Sequence, residues 1–436
     1  MKISGRTTTA TIRSFRWIRT AFFVLAIPAL TAGCATLNFG DDGDDDAETA
    51  DEDIETLEAD PILIRADEDG EVEHLDAEEV FERAYYDFQA RRYEDAADDY
   101  RIIIEHFDET RFYRPSLYNG GLAFEELDRW GEAVEAYELL IANFPDSDEA
   151  LNAEFRLANA HYELGDYETS AERMTELLLD DDLEHFDRVE AHVRRGKALL
   201  ELEQWTDAEN SFNNAIELNE RATPSERLDE DSRHMVLAQF GRGQAYHGRM
   251  NDIPLVLPPE RMEEDLEDKA DYHQTAQAAY IRALRQHHPH WSVAAGYKIG
   301  KLYQDFYLTI FTAEIPDDLT DEELAFYFEE LREKIDVLME RALNVYERNL
   351  SFSRRVASGA DAEEWVEATS KHLERMRAFL DDPLVQERAE KLVIERGDLE
   401  DLWDTGYYAR RHVGDAFDRA IEETSDSEET DEVARH

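Results

Sequence analysis

Two groups of side chains in this 436-residue sequence have the types and spacing to do chemistry. His287, His288 and His290, with His273 upstream, offer imidazole nitrogens of the kind that hold zinc or copper. Cys34, the single cysteine, offers one thiol and has no partner for an internal disulfide. The histidines follow a segment that reads as the second helix of a repeat, where His and Pro end helices and complement the helix dipole. That structural role is preferred, so no metal site is assigned. Nucleophile elbow, zincin, phosphate-loop, paired CxxC and dinucleotide motifs are all missing from the sequence. Carboxylate pairs at glycosidase separation carry no weight among 104 acidic residues. The sequence thus points away from an enzyme, a cofactor and a small-molecule substrate.

The surroundings of Cys34 give its thiol a different use. Residues 1–33 carry Lys2, Arg6, Arg13, Arg16 and Arg19 and no acid, then an apolar run from Ala21 to Leu30, then Thr31-Ala32-Gly33-Cys34. About ten apolar residues interrupted by Pro28 are too few for a spanning helix, which needs about twenty. This segment resembles a bacterial lipobox, with Thr31 in place of the commoner leucine. The resemblance implies cleavage before Cys34, lipidation of its thiol and acylation of the new amine. Ala35, standing where aspartate would retain the protein, implies export to a periplasm-facing outer-membrane position. Residues 34–75 read as a disordered acidic linker: Asp41 to Asp60 holds twelve acids and no base. An EF-hand reading of that run fails for want of the central glycine and terminal glutamate.

The formal net charge of −58 makes phosphate-backbone binding the least favoured function, because such a body repels nucleic acid. Only eight lysines occur, so arginine supplies most of the positive charge. That balance suggests a surface suited to high ionic strength.

The architecture is read from internal repetition. Ala96, Ala133, Ser170 and Ala208 recur every 37 or 38 residues. One unit reads Leu117, Gly121, Phe124, Trp130, Ala133, Tyr137, Leu140 and Pro145. Small residues at Gly121, Ala158 and Gly196 allow two helices to approach, and large residues fill the space between them. These spacings resemble tetratricopeptide repeats, which implies an all-α, right-handed solenoid of helical hairpins. Four units are expected over residues 76–222, opening with an Asp76-Ala-Glu-Glu79 capping box. Degenerate units follow over 223–350, marked by Gly243, Ala276, Tyr280 and Gly300. They are interrupted by a proline-punctuated insertion after Asp252 and an acidic loop at Pro316–Glu323. The insertion is expected to pack on its own solenoid, with exposed docking as the other reading. Capping helices are expected over 351–423 and a disordered tail over 424–436.

In repeats of this kind the first helices line a concave groove. The register then nominates Tyr85, Tyr118, Asn152, Phe155, Asn159, Tyr162 and Lys197 as partner-binding residues. The segment Phe144-Pro-Asp-Ser-Asp-Glu-Ala-Leu-Asn-Ala-Glu-Phe-Arg-Leu-Ala158, followed by Gly165-Asp-Tyr167, resembles repeats of outer-membrane assembly lipoproteins related to BamD and of Tol-Pal coordinating proteins, a resemblance that covers about residues 80–220. The resemblance implies a lipid-anchored scaffold whose partners are envelope proteins or peptides. The alternatives are a structural part of a gliding-motility, division or Tol-Pal-type complex, or a metal or small-ligand carrier using the histidines.

Overall fold

A computed structural model describes residues 61–66, 72–229, 231–286, 288–356, 362–399 and 402. All of them fall in one compact unit, residues 59–436. The expected signal peptide, Cys34, most of the linker and the segment from 403 onward lie outside the described residues.

Order begins earlier than Asp76. Strands β1 (Ile62–Ala66) and β2 (Val72–Asp76) pair antiparallel, with Leu63 opposite Leu75. Alternation turns Ile62 and Ile64 to solvent. Leu63 and Leu75 face Ala77, Val80, Ile103 and Phe107, so the pair covers the open end of the first helices. This stretch was expected within the disordered linker. Five alternating residues beside Asp67-Glu68-Asp69 are too short a signal to stand out from the acids.

Fourteen helices follow among the described residues, pairing as seven hairpins. The first four pairs are α1 (Ala77–Gln89) with α2 (Tyr93–His106), α3 (Tyr113–Glu126) with α4 (Trp130–Asn143), α5 (Asp148–Glu163) with α6 (Tyr167–Leu177), and α7 (His185–Glu201) with α8 (Trp205–Arg221). Next come α9 (Arg233–Asp252) with α10 (Pro259–Arg285) and α11 (Pro289–Phe311) with α12 (Asp321–Val356). The last pair is α13 (Glu363–Asp381) with α14 (Pro383–Ile394). Each first helix also touches the first helix of the next pair, from α1–α3 through to α11–α13, so the expected solenoid of hairpins is present. The helices expected to cap the array are themselves a seventh hairpin stacked in the same manner.

Asp76 starts α1 by accepting the backbone N–H groups of Glu78 and Glu79 at 2.8 and 3.0 Å. The turns within the first four hairpins are built alike. Arg91, Asp128, Gly165 and Glu203 occupy the left-handed region at φ +60, +56, +79 and +56°. The next residue's N–H returns to the helix at Asp87, Phe124, His161 and Leu199, over 2.8 to 3.0 Å. Only one of the four is glycine.

Between the helices of a pair, a ring sits where a side chain would otherwise be. A Cβ on Gly121 would fall 2.4 Å from the Tyr137 ring, one on Gly196 2.7 Å from Phe212, and one on Gly300 2.4 Å from Tyr346. Both expected interruptions prove more helical than the sequence suggested. The insertion after Asp252 is non-helical only from Ile253 to Pro258, and the remainder extends α10, with Pro259 at its first turn. The acidic loop gives way to α12 at Asp321. Thr320 and Glu323 form a reciprocal capping box there, Glu323 accepting the Thr320 N–H at 2.9 Å and Thr320 Oγ1 accepting the Glu323 N–H at 3.3 Å. The short loop is tied to its own chain: Leu255 is buried, its carbonyl accepts the Glu314 N–H, and Glu314 Oε2 accepts the Leu257 N–H.

Two substitutions test this construction in opposite directions. Gly300→Ala forces a methyl against Tyr346 and should cost about 1–3 kcal/mol in urea unfolding. Glu203→Gly relieves a left-handed non-glycine residue and should raise stability by about 0.5–1 kcal/mol in the same assay.

Candidate partner-binding groove

Seven residues nominated from the sequence lie on first helices, and the structure divides them. Tyr85 on α1 is 43% exposed. Tyr118 on α3 is half-buried with its ring 6.3 Å from that of Tyr137. On α5, Asn152 is exposed and Asn159 half-buried, and neither amide is tied to another side chain among the described residues. Tyr162 donates its hydroxyl to Glu201 on α7 at 2.9 Å, and the Lys197 ammonium lies 3.5 Å above its ring. Asn159, Tyr162, Lys197 and Glu201 therefore form one surface spanning α5 and α7. Burial pushes the Tyr162 hydroxyl well above its ordinary pKa, and the carboxylate of Glu201 adds to the shift, so it remains a donor.

Phe155 is not part of that surface. It is 6% exposed and packs with Ala158, Met174 and Ala191, with the Arg194 guanidinium 5.6 Å from its ring centre. An aromatic on this register position gains more from filling the gap between α5, α6 and α7 than from facing water. Glu125 is likewise committed to the scaffold, accepting from the Tyr137 hydroxyl at 2.7 Å and from Arg156 at 2.6 Å.

The same face continues into the later hairpins as a buried polar network that the sequence reading did not nominate. His247 on α9 meets Asp305 on α11 at 3.0 Å, and Lys301 pairs with the other oxygen of that carboxylate. Nearby, His372 on α13 joins Gln304 at 2.9 Å and the Tyr297 hydroxyl at 3.1 Å. Burial alone would raise the Asp305 carboxyl, but Lys301 and His247 outweigh it and hold it well below the usual carboxylate range. Gly243 and Gly300 mark the register that would have found these residues, since Asp305 stands five places after Gly300 as Glu201 does after Gly196.

The histidine cluster is not assembled as a metal centre among the described residues, where no group of three His, Cys, Asp or Glu side chains is placed to hold an ion. His273 is buried between the rings of Tyr303 and Phe306, and the His290 ring lies edge-on to Trp291 at 4.6 Å. His287 lies outside the described residues. Nor is any helix there long and apolar enough to cross a membrane.

Comparison with known proteins identifies the hairpins from α3 to α8. Residues 116–147 and 155–226 match tetratricopeptide repeat families. No curated protein matches the chain. Similar solved structures include a tetratricopeptide repeat protein from Parabacteroides merdae, at 15% identity and a TM-score of 0.34, covering 67% of this chain and 98% of that one. Others are the apo form of RapI, at 11% identity, a TM-score of 0.38 and coverages of 69% and 98%, and a repeat protein from Bacteroides fragilis, at 11% identity, 0.25, 68% and 99%. At such scores the repeat assignment rests on the family matches and on the helical register. Those two segments carry tetratricopeptide repeats, and the helical hairpins before and after them continue the same solenoid.

The buried histidines set a pH dependence. Burial holds His192, His273 and His372 down to about 4, with Arg195, His247 and Lys301 as the leading charges that add to the effect. The unfolded chain binds these protons near pH 6.5 and the folded chain does not. Stability should therefore be full above that pH and fall as pH drops toward 4, by up to about 3 kcal/mol for a histidine as buried as His273. Urea unfolding across that range measures the slope, and His273→Phe should flatten it.

Proposed function

We propose that this chain is a lipid-anchored scaffold of the bacterial cell envelope. Its first-helix face would take an extended segment of another envelope protein at the periplasmic side of the outer membrane. The observation that carries the partner-binding part is the surface made by Asn152, Asn159, Tyr162, Lys197 and Glu201. It holds two untied amides able to pair with a peptide backbone beside an aromatic ring held in place by a cation and a carboxylate. Exposed Glu163 on α5 and Glu201 on α7, with Glu126 at the end of α3, favour a basic or polar segment over an acidic one. The anchoring part is supported by the lipobox-like residues ending at Cys34 and by the acidic linker that follows. Outer-membrane protein assembly is the process we favour; a structural place in a motility, division or Tol-Pal-type complex would use the same face.

Crosslinking in native envelopes, followed by mass spectrometry, tests the proposal. Wild-type protein should fractionate with membranes and capture barrel-assembly components, whereas Cys34→Ser should be released in soluble form. Asn152→Ala with Asn159→Ala should lower capture about tenfold while leaving the melting temperature within a degree or two. Unchanged capture by that double variant removes the groove assignment, and recovery of peptidoglycan-linked or motility proteins moves the chain to the structural role.

A further inference from the structure

On the side of the array formed by the second helices, neighbouring hairpins leave clefts of equivalent construction. One, of about 430 Å³, lies between the end of α10 and the last third of α12, with α11 as its floor. Leu284, Ile299, Val345 and Phe352 wall it. Gly296 lies at its floor, where the Asn349 side chain already occupies the place a Cβ would take. The Asn349 amide beside it is turned inward, donating to the Val293 carbonyl and the Thr369 hydroxyl at 3.0 and 3.1 Å. At the mouth stand Arg348 and Arg355, both exposed. Neither guanidinium meets a carboxylate among the described residues, and Arg355 donates only from Nε to the Ser351 carbonyl in its own helix.

The preceding cleft shows what is particular to this one. It has nearly the same volume, about 420 Å³, between α8, α9 and α10. Arg282 and Arg348 each lie two residues after the ring-bearing Tyr280 and Tyr346, and Gln239 and Gly296 each lie four before Gly243 and Gly300. The earlier cleft mixes Ile216, Leu228 and Met235 with Asn219, Gln239 and Arg227, whereas the later one is mostly apolar below its arginines.

We propose that the cleft between α10 and α12 binds a small anionic amphiphile, a carboxylate on an aliphatic or aromatic body. A half-open apolar cleft of this size falls in the range of small-molecule sites, roughly 300–1,000 Å³, and admits a hydrocarbon body rather than a folded partner. The two guanidiniums at its rim match a carboxylate in charge and disfavour neutral or cationic heads.

Calorimetric titration of the full-length protein with decanoate tests this site, with 1-decanol and decylammonium as controls. Decanoate should saturate one site per chain, with both controls at least about tenfold weaker. Arg348→Ala with Arg355→Ala should weaken decanoate by about tenfold, and Ser351→Trp should block it by filling the slot, both with circular dichroism and melting temperature preserved. Arg282→Ala with Arg285→Ala, in the earlier cleft, should leave it unchanged. The proposal is overturned by absent decanoate binding, by decanol binding equally well, or by undiminished binding in the Arg348/Arg355 variant. An equal loss in the Arg282/Arg285 variant also overturns it.

Discussion

The array depends on one packing event repeated along it: a large side chain from each second helix fills space left by a small residue on a first helix. Phe212 shows why this couples neighbours. Its ring lies where a Cβ on Gly196 of its own hairpin would stand, and equally where one on Gly241 of the next hairpin would stand, at 2.7 and 2.2 Å. Trp205 at the start of the same helix packs against Gly248 in that next hairpin, a Cβ there falling 2.4 Å from its ring. Neither hairpin can bury this ring alone, so stability belongs to the interface between units as much as to each unit. The β1–β2 pair serves the same requirement at the first hairpin, which no earlier hairpin among the described residues covers.

Electrostatics reinforces the same joints. Arg129 pairs with Glu94 at 2.9 Å, Arg156 with Glu125 at 2.6 Å and Arg377 with Glu347 at 2.5 Å, each reaching from one hairpin to its neighbour. Exposed pairs of this kind are individually worth little. Their regular placement spends much of a scarce positive charge on inter-unit contacts, and arginine suits that use because its planar fork holds a carboxylate with two donors. Where a cation is buried it is matched more closely. Lys269, with no exposed surface, donates to the Met250 carbonyl, and burial holds its amine down to about 8.

What was legible in the sequence was whatever the packing event writes into it. Ala96, Ala133, Ser170 and Ala208 keep a constant interval because each must let the same two helices approach, and Gly121 and Gly196 mark the facing positions. The later hairpins keep the pairs Ala276 with Tyr280 and Ala342 with Tyr346 but lengthen their second helices, so the interval is lost while the contact is kept. The Thr320–Glu323 capping box was available as a signal for where α12 begins, but it is embedded in an acid-rich stretch that reads as loop. Phe155 shows the limit for the groove. Register assigns a position to a face, whereas burial depends on how closely the neighbouring helices close over it, and a single sequence does not record that distance.

The first-helix face changes character along the array. From α3 to α7 its polar groups reach solvent, with Asn152, Glu163 and Lys197 exposed. From α9 to α13 its polar groups turn to one another, so that His247, Asp305, Lys301, Gln304 and His372 satisfy their hydrogen bonds within the protein. A charge such as Asp305 can stay ionised there only because His247 on α9 and Lys301 one turn away on α11 are held at bonding distance, while His372 on α13 is joined to the adjacent Gln304. That requirement fixes α9, α11 and α13 relative to one another, while nothing comparable ties Asn152 and Asn159. The later hairpins thus have the properties of a stiff frame, and the earlier ones present groups whose hydrogen bonds remain to be made by another chain.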